Sequence, residues 1–467
     1  MAEQLRIDPG RTQDEPGPEK NPRPHRPKVL FINQYYWPDR ASTAQHLADL
    51  AEWLAARGMD CRVLCGRGTY HPGEPKPRRR ETHEGVAIER VAATSFGRRS
   101  TLGRVTDYLT FYLGAALRAL TGPKPDVVVT LTTPPLIGLI GFLMRRLRGV
   151  RHVCWSMDLH PDASLALGKM KPRGIAARFF RHLARLIDTH ADVVVVLGPY
   201  MGDRVRERGA RDSRIVQIPV WSRRDEVDPW PWQANPLRES LGLSDKTVFM
   251  YSGNMGLAHA FDELLQALEK LQHRADLVFL FVGDGPRRRE IEARLAESPL
   301  PNVRMLDSMP RSDLGALLTL ADVHLITMRP GMTGIVVPSK LYGIMAAARP
   351  ALFVGPEHCE TADTIREADC GITIRPGDVA SLVAAIEELA ASRGPREAMG
   401  LRGRELFLRE YEREVCCNLW HELIESLVFI PRAAARPAPH AGVARAAQVG
   451  PPRLRRWKNS KPLGVES

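Results

Sequence analysis

What most constrains the fold of this chain is a repeated alternation of short apolar runs with helix-period segments, and it occurs in two separate series. The first opens with KVLFIN at Lys28–Asn33, a run of β-formers that suits a buried strand. A loop containing Trp37 leads to a helical stripe of Leu47, Leu50, Ala51 and Leu54, with Ser42 or Thr43 as its cap and Gly58 as its stop. MDCRVLC then reads as a strand, followed by PDVVVTL from Pro125, the helical PPLIGLIGFLMRRL, RHVCWSM from Arg151 and ADVVVVL from Ala191. Strands this apolar need cover on both faces, which implies a parallel sheet between helical layers.

After Ile215–Pro219 comes WSRRDEVDPWPWQANP, a connector rich in Pro, Trp and charge. The second series runs TVFMYSG from Thr247, FDELLQALEKL, DLVFLFVGDG from Asp276, NVRML, ADVHLITM from Ala321, a helix opening near Pro338 or Ser339, ALFVG and GITI. The expected architecture is α/β: two doubly wound, Rossmann-like domains facing a central cleft. Its expected limits are a disordered tail at 1–27, a first domain at 28–218, a connector at 219–246, a second domain at 247–404, one long crossover helix at 405–430 and a basic disordered tail at 431–467.

The hydrophobic fraction of 44% and charged fraction of 26% are those of an ordinary globular chain. Seven cysteines, an odd set with no CxxC pair, argue for a reducing compartment and against disulfides or structural zinc. The N-terminus is polar and proline-rich with no signal-peptide core. The longest apolar runs, such as Pro135–Met144, fall well short of the roughly 20 residues of a spanning helix. A cytoplasmic protein is the expectation from these features. A net charge of +12 admits nucleic acid, acidic lipid or phosphorylated metabolites as partners. The charge is scattered and no nucleic-acid reader motif accompanies it, so no nucleic-acid partner is expected.

In doubly wound sheets, ligands bind beyond the C-terminal strand ends. Gly253-Asn254-Met255-Gly256 follows TVFMYS, and Gly283-Asp284-Gly285 follows DLVFLFV; small residues there let backbone N–H groups approach an anion, or simply serve tight turns. Arg288 stands where a dinucleotide fingerprint has its third glycine, and no Walker lysine follows either loop. No Asp-x-Asp occurs, so a bound diphosphate would need protein cations in place of a metal ion. Two cations flank the stretch GMTGIVVPSKLYGIMAAARP: Arg329 just upstream, and Lys340 at a helix start, where the partial positive charge normally attracts acids. Either Lys340 turns out into water, or an anion sits at that point and both cations hold it.

The segments VVVTLTTPPLIGLIG, CWSMDLHPDASLALGKMK, VFMYSGNMGLAHAFDELL, FLFVGDGPRR and ADVHLITMRPGMTGIVVPSKLYGIMAAARP resemble, in that order, the retaining glycosyltransferases of the GT-B fold, family four, of the bacterial exopolysaccharide and colanic-acid type. The resemblance covers Lys28 to about Val428. It implies transfer of a sugar from a nucleotide-diphosphate donor to a saccharide or polyprenyl-linked acceptor, with no cofactor and no metal. It also implies donor contacts at Gly253, Asn254, Gly256, Gly283, Asp284, Gly285, Thr333, Gly334 and Ser339, with Lys340 and Arg329 beside the diphosphate. The acceptor side would be Trp37, Ser42, Thr43, Asp158, His160 and Asp162. His160 equally suits a packing role at a strand end, and Asp162 a turn or cap. Thr333 and Gly343 stand where many members carry glutamates.

For such a transfer, negative charge grows on the leaving diphosphate, and cations and N–H groups fixed there lower the barrier; Arg329 and Lys340 are the expected catalytic pair. In GIAARFFRHLARLID, Gly174–Asp188, one helical arc gathers Ile175, Ala176, Phe179, Phe180, Leu183, Leu186 and Ile187, and the opposite arc gathers Arg178, Arg181, His182 and Arg185. Either the apolar arc is core and the basic arc is wet, or the helix docks on an anionic membrane surface. A non-catalytic GT-B binding protein and a nucleotide-sugar epimerase are the alternative functions.

Overall fold

The computed structural model describes residues 25–39, 41–67, 77–92, 94, 101–229, 231 and 234–430. The expected tails, apart from residues 25–27, lie outside the described residues.

The first unit contains strands β1 (Lys28–Ile32), β2 (Asp60–Gly66), β3 (Arg80–His83), β4 (Val86–Val91), β5 (Val127–Thr130), β6 (Arg151–Trp155), β7 (Val193–Val196) and β8 (Ile215–Gln217). Its helices are α1 (Ser42–Ala56), α2 (Thr101–Thr121), α3 (Gly138–Arg148), α4 (Asp162–Ala166), α5 (Ile175–His190) and α6 (Pro199–Glu207). The strands form one sheet in the order β3-β4-β2-β1-β5-β6-β7-β8, parallel except for β3, which pairs antiparallel with β4. Alternation along β1 feeds two cores. Val29 and Phe31 join the α1 side, while Leu30 and Ile32 join the α2 and α3 side.

The second unit holds a short helix α7 (Pro236–Ser240), strands β9 (Thr247–Ser252), β10 (Leu277–Val282), β11 (Val303–Leu306), β12 (Val323–Thr327), β13 (Ala351–Val354) and β14 (Gly371–Ile374), and helices α8 (Asp262–Lys270), α9 (Arg288–Glu297), α10 (Leu314–Leu320), α11 (Lys340–Ala346), α12 (Glu360–Ala368), α13 (Val379–Ala391) and α14 (Arg393–Leu406). Its six strands run parallel in the order β11-β10-β9-β12-β13-β14. The two doubly wound sheets are the Rossmann-like pair that the alternation implies.

Several local expectations are corrected. The single long helix at 405–430 is interrupted: α14 ends at Leu406, Phe407–Tyr411 forms a π-helical turn, Glu412 is extended, and α15 (Arg413–Phe429) begins anew. Extended backbone at Glu412 lets its carboxylate cap α15, accepting from the Glu414 N–H at 2.6 Å. α15 then packs on α1 and β5 of the first unit. Ser42 is the first helical residue of α1, and neither it nor Thr43 caps by side chain; Asp39 instead accepts from the Ala41 N–H at 2.8 Å. α3 starts at Gly138 rather than at the prolines.

Candidate active site

The glycine loops after β9 and β10 are pressed together. A Cβ on Gly283 would lie 2.3 Å from the Gly253 carbonyl oxygen, and one on Gly285 2.6 Å from that of Met255. The Met255 N–H donates to the Asp284 carbonyl at 2.7 Å, and the Gly285 N–H to the Asp284 side chain at 2.7 Å. Gly253, Gly283 and Gly285 all have φ between +115° and +143°, where any side chain is strained. The glycines are therefore needed to fuse two strand ends into one platform. On that platform the Asn254 and Gly256 N–H groups have no hydrogen-bond acceptor among the described residues.

Lys340 faces this platform. α11 is only seven residues long and begins at Lys340, while Ser339 precedes it without a side-chain capping bond. The ammonium lies over the Tyr251 ring, 4.6 Å from its centroid, and donates weakly to the Asn254 carbonyl at 3.4 Å. It is 3.1 Å from where a Gly253 Cβ would stand. No carboxylate pairs with it among the described residues, and burial alone lowers its pKa to about 8. Lys340 is thus no solvent-directed side chain. It is a half-buried cation with no ion pair among the described residues, resting against the Gly253–Asn254 backbone.

Arg329 sits at the other end of the same loop. Its N–H donates to the Ala258 carbonyl at 2.8 Å, and its exposed guanidinium has no partner among the described residues. His259 lies in the same loop near Lys340, and its Nδ1 is 2.6 Å from the Thr327 carbonyl oxygen. Burial, with Lys340 and Arg287 nearby, holds His259 neutral at a pKa of about 3. Sequence reading missed this histidine, although its position inside the GLAHAF loop is a usable signal.

Thr333 and Gly334 lie on the seam between the two units. The Thr333 carbonyl accepts from Arg204 Nε at 2.6 Å, and its hydroxyl donates to the His358 carbonyl at 3.3 Å. A Cβ on Gly334 would come within 2.4 Å of the Tyr200 carbonyl oxygen. The Leu159 N–H donates to the Ile335 carbonyl at 3.0 Å. Glu360 completes the seam: it is buried, and its Oε1 accepts from the Met201 N–H of α6 at 3.1 Å, while Tyr200 donates to Asp363 at 2.7 Å. Burial pushes the Glu360 carboxyl up. Nothing local in the sequence signals Glu360, because its partner is 159 residues away.

On the first unit, Asp158 and His160 follow β6. Neither side chain has a hydrogen bond among the described residues, and both line a small cavity of about 30 Å³ with Thr132, Ser156 and Arg208. Burial raises Asp158 and lowers His160, each opposed by the other's charge. Asp162 differs: Arg208 pairs with both Asp162 and Asp188 and donates to the His160 carbonyl at 3.0 Å, so Asp162 belongs to a partly buried ion-pair network. The Trp37 ring stacks on His83 at 3.8 Å, and its carbonyl accepts from Arg90 at 2.7 Å. Ser42 is exposed. A cavity of about 330 Å³ lies elsewhere, between the sheet edge and the end of α2. Its Glu89 is already paired with Arg80 and Arg118. Among the described residues no three His, Cys, Asp or Glu groups are placed to hold a metal ion.

Two Rossmann-like domains with glycine loops and a cation at the strand ends fit the class of two-domain α/β proteins that bind an anionic ligand. Comparison with known proteins narrows this. Residues 43–221 match the Glycosyl transferase 4-like domain, and residues 246–392 match Glycosyl transferases group 1. The chain is 29% identical to the glycosyltransferase named WbjE of Pseudomonas aeruginosa over 62% of this chain and 71% of that one. It is 28% identical to WcaI of Escherichia coli, named as a colanic acid biosynthesis glycosyl transferase, over 82% of this chain and 95% of that one. The structure of HepE from Anabaena with UDP-glucose superimposes with a TM-score of 0.63 at 14% identity, covering 85% of this chain and 99% of that one. The chain belongs to the GT-B glycosyltransferases of the family-four, group 1 type, and it is a hexosyltransferase.

Proposed function

We propose that the enzyme transfers a hexose, with retention and without a metal ion, from a nucleotide-diphosphate sugar to a saccharide carried on a polyprenyl lipid, in the assembly of a cell-surface polysaccharide. The observation that carries this reading is the half-buried Lys340 ammonium, without an ion pair among the described residues, against the loop whose Asn254 and Gly256 N–H groups have no acceptor there. A diphosphate supplies the missing counter-charge, and each charge-assisted hydrogen bond it gains is worth roughly 1.5–3 kcal/mol. As the glycosidic bond to the donor breaks, charge grows on the leaving phosphate oxygen. Lys340 and the loop amides, already oriented, stabilise that charge. Arg329, at the far end of the loop, adds a second cation to the phosphates.

The same reading gives the Gly283–Gly285 loop to the nucleotide and gives the donor sugar to the seam loop with Thr333, Gly334 and Ser339. Asp158 and His160, side chains without hydrogen-bond partners, would face the acceptor. UDP-glucose bound in the structurally similar HepE and the colanic acid assignment of WcaI support the donor class and the pathway class. The reaction would run at the inner face of the cytoplasmic membrane. Residues 163–187 hold six Lys and Arg and no Asp or Glu, a composition that suits an anionic surface. Among the described residues no helix is long and apolar enough to cross a membrane, so contact would be peripheral.

The test is a thermal-shift panel of nucleotide-diphosphate sugars with and without EDTA. One donor is expected to raise the melting temperature equally in both conditions, and Lys340→Ala to abolish the rise. A shift that needs added divalent metal, or one indifferent to Lys340, would defeat the proposal.

A further inference from the structure

The helical layer α2–α3–α5 presents an apolar outer face that the described residues leave uncovered. On α2, Val105, Leu109, Leu113 and Leu117 recur every four residues and form one stripe, exposed by 45%, 57%, 73% and 62%. The inner face of the same helix is held by Phe111, Ala115 and Ala119 in the core. α2 packs on α3, which exposes Leu143 and Leu147, and α3 packs on α5. On α5 the apolar arc turns outward: Ile175 is 85% exposed and Phe179 56%, because the helix packs through Ala177, Ala184 and Ile187. Large exposed apolar patches of this kind mark interaction surfaces.

We infer that this layer is a bilayer-docking face, in which the leucine stripe of α2 enters the acyl region of an anionic membrane while the α5 cations hold its headgroups. The inference rests on the peripheral-membrane reading above and goes beyond it by naming the element that inserts. Charge selects the partner. Lys169, Lys171, Arg173, Arg178, Arg181 and Arg185 are all exposed around the α5 end of the layer, and 163–187 contains no carboxylate to offset them. A second copy docking through the same face would bring no carboxylate from its own 163–187 to answer these cations. Phospholipid with anionic headgroups meets both the apolar stripe and the basic border.

All seven cysteines are buried, so a Leu113→Cys variant carries the one accessible thiol among the described residues for an environment-sensitive fluorophore. The full chain is mixed with phosphatidylcholine vesicles, with and without phosphatidylglycerol. With the anionic vesicles the probe at 113 is expected to shift to the blue and to be quenched by brominated acyl chains. The same probe at Leu401→Cys, also well exposed but on the second unit, stays aqueous. Replacing Leu109, Leu113 and Leu117 together by Gln is expected to weaken vesicle partitioning on the order of 100-fold or more, since each leucine removes apolar area from the bilayer. Stabilisation by nucleotide in solution is expected to be unchanged. Vesicle binding with an aqueous probe at 113 and no effect of the triple variant would overturn the insertion and leave the membrane reading standing. Absence of binding to any vesicle removes both, and light scattering that shows a dimer lost in the triple variant assigns the face to a second copy and refutes the inference.

Discussion

Replacing Lys340 by Met separates the cost of this cation from its use. Burial lowers Lys340 from the ordinary 10.5 to about 8. At about 1.4 kcal/mol per unit, holding the ammonium in the fold costs at most about 3 kcal/mol, and its partial exposure trims that figure. Below pH 8 both folded and unfolded chains are protonated and the full cost is present. Between about 8 and 10.5 the unfolded chain binds the proton and the folded one releases it, so stability rises with pH through that window. Met keeps the stem over Tyr251 and removes the charge. The variant is expected to be more stable than the parent at neutral pH by about 1–3 kcal/mol, to lose the rise between 8 and 10.5, and to bind UDP or GDP about 10–100-fold more weakly. Equilibrium urea unfolding below and above pH 8, with titration calorimetry of each diphosphate, measures all three. Parent binding above pH 8 is further expected to take up a proton, because the anion restores the ammonium. A Lys340→Met protein that is less stable at neutral pH, or that binds as the parent does, would refute the reasoning.

Gly253→Ala places a methyl 3.1 Å from Lys340 Nζ at φ +115°, so it is expected to lower the melting temperature and abolish diphosphate binding by calorimetry. Gly334→Ala drives a Cβ to within 2.4 Å of the Tyr200 carbonyl oxygen at φ +67°. Backbone strain alone then costs about 1–3 kcal/mol, and limited proteolysis should cut faster at the seam. Arg208→Met orphans the buried Asp188 carboxylate; urea unfolding should report a loss of about 3–5 kcal/mol at neutral pH, smaller in acid as Asp188, already pushed up by burial, takes up a proton. Glu360→Ala leaves the buried Met201 N–H without its acceptor, an expected loss of about 1–3 kcal/mol in the same assay.

The two β/α series were legible because their strands, such as VVVV at 193–196 and LVFLFV at 277–282, are buried on both faces and therefore apolar throughout. The β3–β4 hairpin carries a weaker signal, since Arg80–His83 is an edge strand with alternately exposed polar residues. α2 is hidden for another reason: its leucines lie outside and its alanines inside, so apolarity runs round the helix and no stripe marks a core face. The periodicity of α5 was plain, yet it did not say which arc faces the protein. Small residues, Ala177 and Ala184, decided that. In the site, the Gly253 and Gly283 loops and Lys340 were readable from strand ends and spacing. The placement of Thr333 and Gly334 on the seam was not, because Arg204 and Tyr200 are remote in sequence and the glycine's reason is a contact with them. The break at Glu412 escaped as well, since FLREYEREV keeps a helical composition through the turn.

The most direct measurement is a crystal structure with whichever of UDP or GDP stabilises the protein, grown in EDTA. The account predicts phosphate oxygens within hydrogen-bond distance of Lys340 Nζ and of the Asn254 and Gly256 amides. A diphosphate seated away from this loop, with Lys340 still resting on the Asn254 carbonyl, would contradict it.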